Sequence, residues 1–419
     1  MFTFQQDNSQ YINHYTKSVA VVPSAPTGGS QICKYTGSLK VDGEINMSMK
    51  KLKYLVGSLF AFIISGCAGI HPKPPSDYYS SNLPERTVRV AFDQNGHIYP
   101  LSTEKWDWNA VQPAWWCKVK GCSFQLKKVE DNEGGNVYDP EKDRLHYTKE
   151  VIDDLNKILE GKEKLAIFIH GFNNNYDDAQ CIYKQFRSKI DDIPVLEVYW
   201  DGVENNVPIK IWFPALTYSN LAGQIGLRSI LNGIKHPIDV SFVTHSRGAA
   251  VAVSAISNPI YDPGIEAPQE EDDNKHKFLG YSEPNFGTIN DVSFVFFAPA
   301  IGNGHFWPGI DEFLPDDRVA HFYFGTNPDD FATSKSIVPS QAFGDTSLGG
   351  NQDAINLVKS EYSENNELIN IQQEKFIHGS EHGIPGYFSP VNGSKPECML
   401  WASGLRKEKP NDCKLTPVK

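Results

Sequence analysis

One serine stands between an apolar, β-branched run and a stretch of small residues. Residues 240–243 read Val-Ser-Phe-Val, a short turn contains Ser246, and Gly248 opens a segment rich in alanine and valine. A strand that turns sharply into a helix in this way strains the backbone of the serine and lifts its hydroxyl clear of the sheet. We therefore predict that Ser246 is a nucleophile.

Side chains that could activate this serine follow it in the chain. A serine hydroxyl is a poor nucleophile until an imidazole takes its proton, and the imidazole needs a carboxylate to orient it. An acidic turn carries Asp329 and Asp330, and a later loop carries His378 and His382. These residue types alone leave open which aspartate and which histidine would act with Ser246.

The elements that would position these residues alternate along the chain. Helical patterns cover about 141–160, 177–189 and 221–233. Five short runs are apolar without strict alternation, which is typical of strands buried on both faces. They cover 165–169, 194–200, 239–243, 292–297 and 320–324. Alternating strands and helices predict an α/β fold with a parallel sheet and right-handed crossovers.

Three further segments lie outside this alternation. The pair Asn95-Gly96 separates the strand-like runs 87–92 and 97–101 and predicts an N-terminal hairpin. Residues 106–116 are rich in tryptophan, and we expect them to pack as core or lid. The acidic loop at 259–290 is expected to be a solvated excursion, with a lid over the site as the alternative.

Residues 164–387 resemble the α/β-hydrolase superfamily. The turn around Ser246 matches the pattern G-x-S-x-G except that Thr244 replaces the first glycine, and a His-Gly-Phe turn at 170–172 follows an earlier strand-like run. The chain looks most like a bacterial branch in which such a turn and an Asn-rich stretch lead to a His-Ser-x-Gly elbow. The resemblance implies a mostly parallel central sheet flanked by helices, with its core at about 164–390, and an esterase-like or lipase-like activity that needs no metal or cofactor.

The resemblance also implies roles for the acidic and imidazole residues. The superfamily places its catalytic groups in the order serine, acid, histidine, which this chain satisfies after Ser246. Asp330 is favoured over Asp329 because a hydrophobic residue follows it. His382 is favoured over His378 because the glycine and tyrosine near it are similar to the loop around the catalytic histidine in several hydrolases.

Two backbone amides complete the site that the resemblance implies. Those of Phe172 and Arg247 would donate to the reaction oxyanion. In comparable hydrolases, histidines placed like His170 and His245 brace the oxyanion loop or pack beneath the elbow. His321 lies inside a strand-like run and is predicted to pack there.

An export signal precedes this domain. Residues 47–66 combine lysines, an apolar run of about half the roughly 20 residues that span a bilayer, and small residues at the end. Residues 64–67 resemble the bacterial lipobox, which implies that Cys67 is lipidated and anchors the protein. Because Ala68 rather than aspartate follows it, we expect a cell-envelope lipoprotein in the outer membrane, with its domain facing the periplasm.

The position of this signal has a consequence for residues 1–46. A signal must lie at the start of the nascent chain, so we expect that translation begins at Met47 or Met49 and that residues 1–46 come from a misassigned gene start. Residues 67–84 are predicted to be a tether and residues 85–419 the hydrolase domain.

The cysteines suggest disulfides more than metal binding. An oxidising periplasm allows pairing, and the partners nearest in sequence are Cys117 with Cys122 and Cys398 with Cys413, which leaves Cys181 free. Other pairings stay open, because spacing does not determine connectivity. The spacing also lacks the paired pattern of a structural zinc site.

The composition of the chain limits the binding partners that we expect. The chain has 419 residues, a net charge of −12 and no basic stripe, so nucleic acid is not an expected partner. The predicted partners are a small-molecule or lipid acyl ester and the membrane, through Cys67. Two other functions stay open: a catalytically silent envelope lipoprotein that binds a partner, and a peptidase or thioesterase that uses the same three residues.

Overall fold

A computed structural model of the chain describes residues 83–93, 95–99, 106–107, 127–128, 140–174, 176–202, 208–257, 285–302, 306, 320–333, 346–363 and 369–418. The predictions made for the signal, for Cys67, Cys117 and Cys122, for residues 108–116 and for most of the acidic loop therefore lie outside the described residues. Within the described ranges, no helix combines the length and apolar content that crossing a bilayer needs.

The described strands form a large sheet whose members are mostly parallel. Its order is β1-β5-β4-β6-β7-β8-β9-β10, and only the β9–β10 pairing is antiparallel. A separate short ladder joins β2 to β3. The strands are β1 (Thr87–Phe92), β2 (Trp106–Asp107), β3 (Lys127–Lys128), β4 (Lys164–Ile169), β5 (Val195–Trp200), β6 (Ile238–His245), β7 (Ile289–Phe297), β8 (Ala320–Thr326), β9 (Ile369–Lys375) and β10 (Thr416–Pro417).

Helices connect these strands and lie against the sheet. They are α1 (Pro140–Leu159), α2 (Tyr176–Arg187), α3 (Pro208–Leu221), a π-helical segment (Ala222–Leu227), α4 (Arg228–Leu231), α5 (Gly248–Ile256), a 3₁₀ turn (Ser347–Gly349), α6 (Gln352–Ser363), α7 (Ile384–Phe388) and α8 (Pro396–Ala402). Apolar residues from the helices and the two sheet faces form two large buried clusters. The α/β-hydrolase fold is confirmed.

The predicted strands and helices are largely confirmed. All five apolar runs form strands, β4 to β8, because each is buried on both faces of the sheet. The helix predicted at 221–233 starts earlier, at Pro208. The sequence did not indicate this start, because residues 208–221 carry little helical periodicity.

The start of the domain differs from a simple hairpin. The turn at Gly96 does reverse the chain, and Tyr99 N–H bonds back to the Ala91 carbonyl, but among the described residues of this turn one antiparallel bridge forms, between Phe92 and Ile98. Strand β1 instead pairs in parallel with β5 at one end of the sheet. Strand β5 lies about a hundred residues further along the chain, and local sequence patterns do not reveal strand pairing over that separation.

The cysteines of the described part differ from the prediction in one respect. A disulfide joins Cys398 to Cys413, with 5.5 Å between their Cα atoms. Cys181 is also disulfide-bonded, so the prediction that it is free is wrong. Its partner lies outside the described residues, because the other two described cysteines bond to each other. Sequence spacing favoured near neighbours, whereas pairing depends on which helices and loops meet in space.

Candidate active site

Ser246 sits in the elbow, the sharp turn between β6 and α5. Its φ angle is 54°, a left-handed value that a residue with a side chain adopts only when its surroundings impose it. The Ser246 N–H donates to the Phe297 carbonyl at 2.9 Å, and the Ser246 carbonyl accepts from the N–H groups of Ala249 and Ala300, each at 3.2 Å. The turn is therefore held by the end of β7 as well as by its own helix.

Two glycines allow the backbone to pack closely around this serine. A Cβ atom on Gly248 would lie 2.5 Å from the His170 carbonyl oxygen and 2.7 Å from that of Ile169. A Cβ on Gly171 would lie 2.8 Å from the Ser246 Cβ. The first contact lets α5 start against the end of β4, and the second places the Gly171 backbone directly beside the serine. Both positions therefore require glycine.

Three side chains from distant parts of the chain, those of Ser246, His382 and Asp330, are connected one after the other by hydrogen bonds. We call this arrangement the hydrogen-bonded line. The Ser246 hydroxyl lies 2.7 Å from Nε2 of His382, and Nδ1 of His382 lies 2.7 Å from a carboxylate oxygen of Asp330. All three side chains are buried. Because a carboxylate only accepts, Nδ1 carries the proton, and Nε2 is left to accept the hydroxyl proton of the serine.

The Asp330 carboxylate is fixed at its second oxygen as well. That oxygen accepts the N–H groups of Ala332 at 2.8 Å and Thr333 at 3.3 Å. Burial, and after it the nearby Asp330 carboxylate, raises the pKa of the Tyr387 phenol well above its ordinary value. Tyr387 therefore stays protonated beside the acid.

The structure separates the alternatives that the sequence left open. Asp329 is exposed and does not enter the line, whereas Asp330 is fully buried against His382. The His378 ring packs edge-on against Tyr387, with 4.4 Å between ring centroids, and neither of its nitrogens has a hydrogen-bond partner among the described residues. Of these candidates, His382 contacts Ser246, and Asp330 contacts His382.

The loops that carry the acid and the histidine are joined by contacts that the sequence did not suggest. The buried Asn327 amide donates to the Gly379 carbonyl at 2.8 Å, and Phe331 N–H bonds to the Ser380 carbonyl at 3.4 Å. Asn327 directly follows β8, a position where polar residues often serve a site. The position of Asn327 at the end of a strand was a signal that the sequence offered, but it does not reveal that Asn327 bonds to Gly379.

The turn after β4 is braced by His170. Its Nδ1 lies 2.7 Å from the Gly171 carbonyl, and its Nε2 lies 3.2 Å from the Trp200 N–H. The ring therefore carries its proton on Nδ1 and stacks on Trp200 at 5.7 Å between centroids. Fixing the Gly171 carbonyl also fixes the direction of the next N–H, that of Phe172, because the peptide between them is planar.

Arg247 has a second part in the site besides its backbone. Its guanidinium is fully buried and donates to the Ser219 hydroxyl at 2.9 Å, the Ala300 carbonyl at 3.3 Å and the Leu216 carbonyl at 3.4 Å. These bonds tie the elbow to α3 and to the loop after β7. The sequence predicted a role for the amide of this residue but none for its side chain, because the neighbours of the side chain are remote in the chain.

His245 and His321 occupy different environments. His245 ends β6, and its Nε2 lies 2.9 Å from the backbone oxygen of His382. Burial, and after it the neighbouring His382, lowers the pKa of His245 to about 3, so this ring stays neutral at ordinary pH. His321 lies in β8, as predicted, where partial burial lowers its pKa. Within the described ranges, no group of three or more His, Cys, Asp or Glu side chains is arranged to hold a metal ion.

One family matches part of the chain. Residues 145–264 match a family described as an alpha/beta hydrolase of unknown function (DUF900). The matched segment includes Ser246 and the turn after β4, and it ends before Asp330 and His382. No curated protein and no solved structure matches the chain. The fold and the family match together support an α/β hydrolase.

The close approach of α5 to β4 generates a stability prediction. Gly248→Ala should lower the free energy of unfolding by about 1–3 kcal/mol, because the new methyl group meets two backbone carbonyls that cannot rotate away. Urea denaturation followed by circular dichroism measures this. The control is Gly287→Ala, since nothing lies within 4 Å of a Cβ at that position. Equal stability of the two variants would contradict the described packing of the elbow.

Proposed function

We propose that this protein is a serine hydrolase that cleaves carboxylic esters through an acyl-enzyme. The observation that carries the proposal is the line of contacts from Ser246 through His382 to Asp330, with 2.7 Å at each step. The strained backbone at Ser246 supports it, because such geometry is typical of a nucleophilic serine between a strand and a helix.

The reaction follows from these contacts. The Ser246 oxygen attacks the acyl carbon while its proton passes to Nε2 of His382, and the carbonyl oxygen becomes an oxyanion held by the amides of Phe172 and Arg247. The C–O bond to the alcohol then breaks, and His382 returns the proton to the leaving oxygen. Water attacks the acyl-enzyme in the same way, which releases the acid and restores Ser246. Asp330 stabilises the imidazolium that forms in each half of the cycle.

The surroundings of the serine favour an apolar acyl group. Phe172 packs against Leu216 and Ala300, and the Ala300 N–H bonds to the Ser246 carbonyl, so this small apolar cluster adjoins the backbone of Ser246. Apolar surface beside the reacting atoms stabilises the uncharged chain of an acyl ester better than a charged group. The proposed substrates are therefore esters of apolar acids.

The nucleophile is tested by Ser246→Ala. Labelling by a fluorophosphonate probe should disappear and ester hydrolysis should fall by at least about 10³-fold, because the attacking oxygen is gone. Thermal unfolding should change little. Ser360→Ala, at an exposed serine on α6, is the matched control and should label like wild type.

Wild-type protein that neither labels nor cleaves any acyl ester would instead favour the catalytically silent binding protein. A panel of acyl esters, thioesters and amides decides between the esterase and the two related activities. Faster cleavage of amides or thioesters than of matched esters would replace the esterase proposal.

The acid is tested by a matched pair of neighbouring aspartates. Asp330→Asn should reduce kcat by about 10³–10⁴-fold, because the amide no longer favours the Nδ1–H form of His382 that the serine needs. Asp329→Asn should retain activity within about twofold, since Asp329 is exposed and outside the hydrogen-bonded line. The measurement is steady-state hydrolysis of one ester by both variants. Similar losses in the two variants would remove the special role of Asp330.

We further propose that a lipid on Cys67 holds the domain at the outer membrane, on the periplasmic side. The support is the lysine-rich, apolar and small-residue sequence of residues 47–66 followed by the cysteine. Cys67→Ala should move the protein from the membrane fraction to the soluble fraction and abolish incorporation of labelled palmitate in a bacterial host. Unchanged palmitate incorporation in this variant would exclude Cys67 as the lipid attachment site.

A further inference from the structure

His245 connects the serine turn to the loop of His382. It is the last residue of β6, directly before Ser246, and its side chain is buried. Its Nε2 lies 2.9 Å from the backbone carbonyl oxygen of His382. A carbonyl oxygen only accepts hydrogen bonds, so Nε2 carries the proton and donates it. The two imidazole rings lie 5.1 Å apart between centroids, tilted by 43°.

The other nitrogen of His245 has no hydrogen-bond partner among the described residues. This Nδ1 is buried and faces the Gly171 backbone, where a Cβ atom would lie 3.1 Å from it. Burying an acceptor without a partner costs free energy, and an apolar side chain of similar length would avoid that cost. The bond from Nε2 to the His382 carbonyl is therefore what the imidazole supplies and an apolar residue would not.

The bond restrains the member of the site that lies farthest along the chain from its preceding strand. His382 follows β9, and its imidazole is held by Asp330 at one nitrogen, while its backbone oxygen is held by the residue next to Ser246. The end of β6 therefore positions both Ser246 and His382. Misplacing reacting groups by about 1 Å can cost on the order of 100-fold in rate.

We infer that His245 is a positioning residue whose Nε2–H sets the distance between His382 and Ser246. This inference rests on the proposed hydrolase function and deepens it. His245 exchanges no proton in the reaction and acts only through the backbone of His382. The charged or titratable groups close to it are His382 itself and Asp330.

Two variants of nearly equal shape distinguish the effect of the N–H donor from the effect of side-chain packing. His245→Gln keeps an N–H donor at a similar reach, whereas His245→Met fills the same space without a donor. We expect His245→Gln to retain kcat within about threefold of wild type and His245→Met to lose about 10- to 100-fold, with KM changed less than threefold in both. His245→Met and His245→Gln should unfold at similar temperatures, because the first leaves the His382 carbonyl without its donor and the second buries an unpartnered amide oxygen.

The readouts are the hydrolysis of one acyl ester, the rate of fluorophosphonate labelling at Ser246 and thermal unfolding. A purely structural role predicts that activity follows stability, so a stable but slow His245→Met variant, together with recovery in His245→Gln, supports the inference. Equal activity of the two variants overturns it. If wild type itself neither labels nor hydrolyses esters, the proposed function fails, which is a distinct result.

A second pair covers the case in which His245→Met does not fold. His245→Asn is also polar, but its amide is one bond shorter than that of His245→Gln and does not reach the His382 carbonyl. Labelling of Ser246 at least about tenfold slower in His245→Asn than in His245→Gln supports the inference. Equal labelling rates in these two variants overturn it.

Discussion

The left-handed backbone at Ser246 is the constraint on which the rest of the site depends. A non-glycine residue in that conformation costs on the order of 1–3 kcal/mol, so it persists only where its surroundings over-determine it. Here the last residue of β7 and the start of α5 bond both polar groups of the serine backbone. The close contacts at Gly171 and Gly248 follow from the same turn, because strand, turn and helix must approach within contact distance.

The parallel sheet brings the remaining groups to this turn. Strands β4, β6 and β8 run in the same direction, so the residues after them, Gly171, Ser246 and Asp330, all lie at one edge. The loop after β9 adds His382 at the same edge. Hydrogen bonds from Asn327 and His245 then join these separate loops, which makes the arrangement a single network of buried polar groups.

Polar groups around this network are buried, and burying a polar group costs free energy unless it is hydrogen-bonded. Arg247 places a full guanidinium in the protein interior, and His170 uses both ring nitrogens to fix a turn. Such groups are stable only with partners, and their partners here are backbone carbonyls, backbone amides and a hydroxyl close to Ser246. These buried hydrogen bonds thus hold the elbow and the adjoining turn in place.

The sequence alone was sufficient for features that depend on local pattern. Apolar β-branched runs predicted β4 to β8, and the small residues around Ser246 predicted the elbow, because burial on both faces and close packing restrict residue type directly. Strand β9 carries no such pattern, because Ile369–Lys375 is largely polar and the strand is only partly buried.

Only the tertiary structure distinguishes chemically identical neighbours by their contacts. Asp329 differs from Asp330, and His378 from His382, only in burial and in distance to groups far along the chain. The same holds for the bonded state of Cys181 and for the partner of His245. Residue type and spacing do not carry that information, because these contacts form only when strands distant in the chain pack side by side.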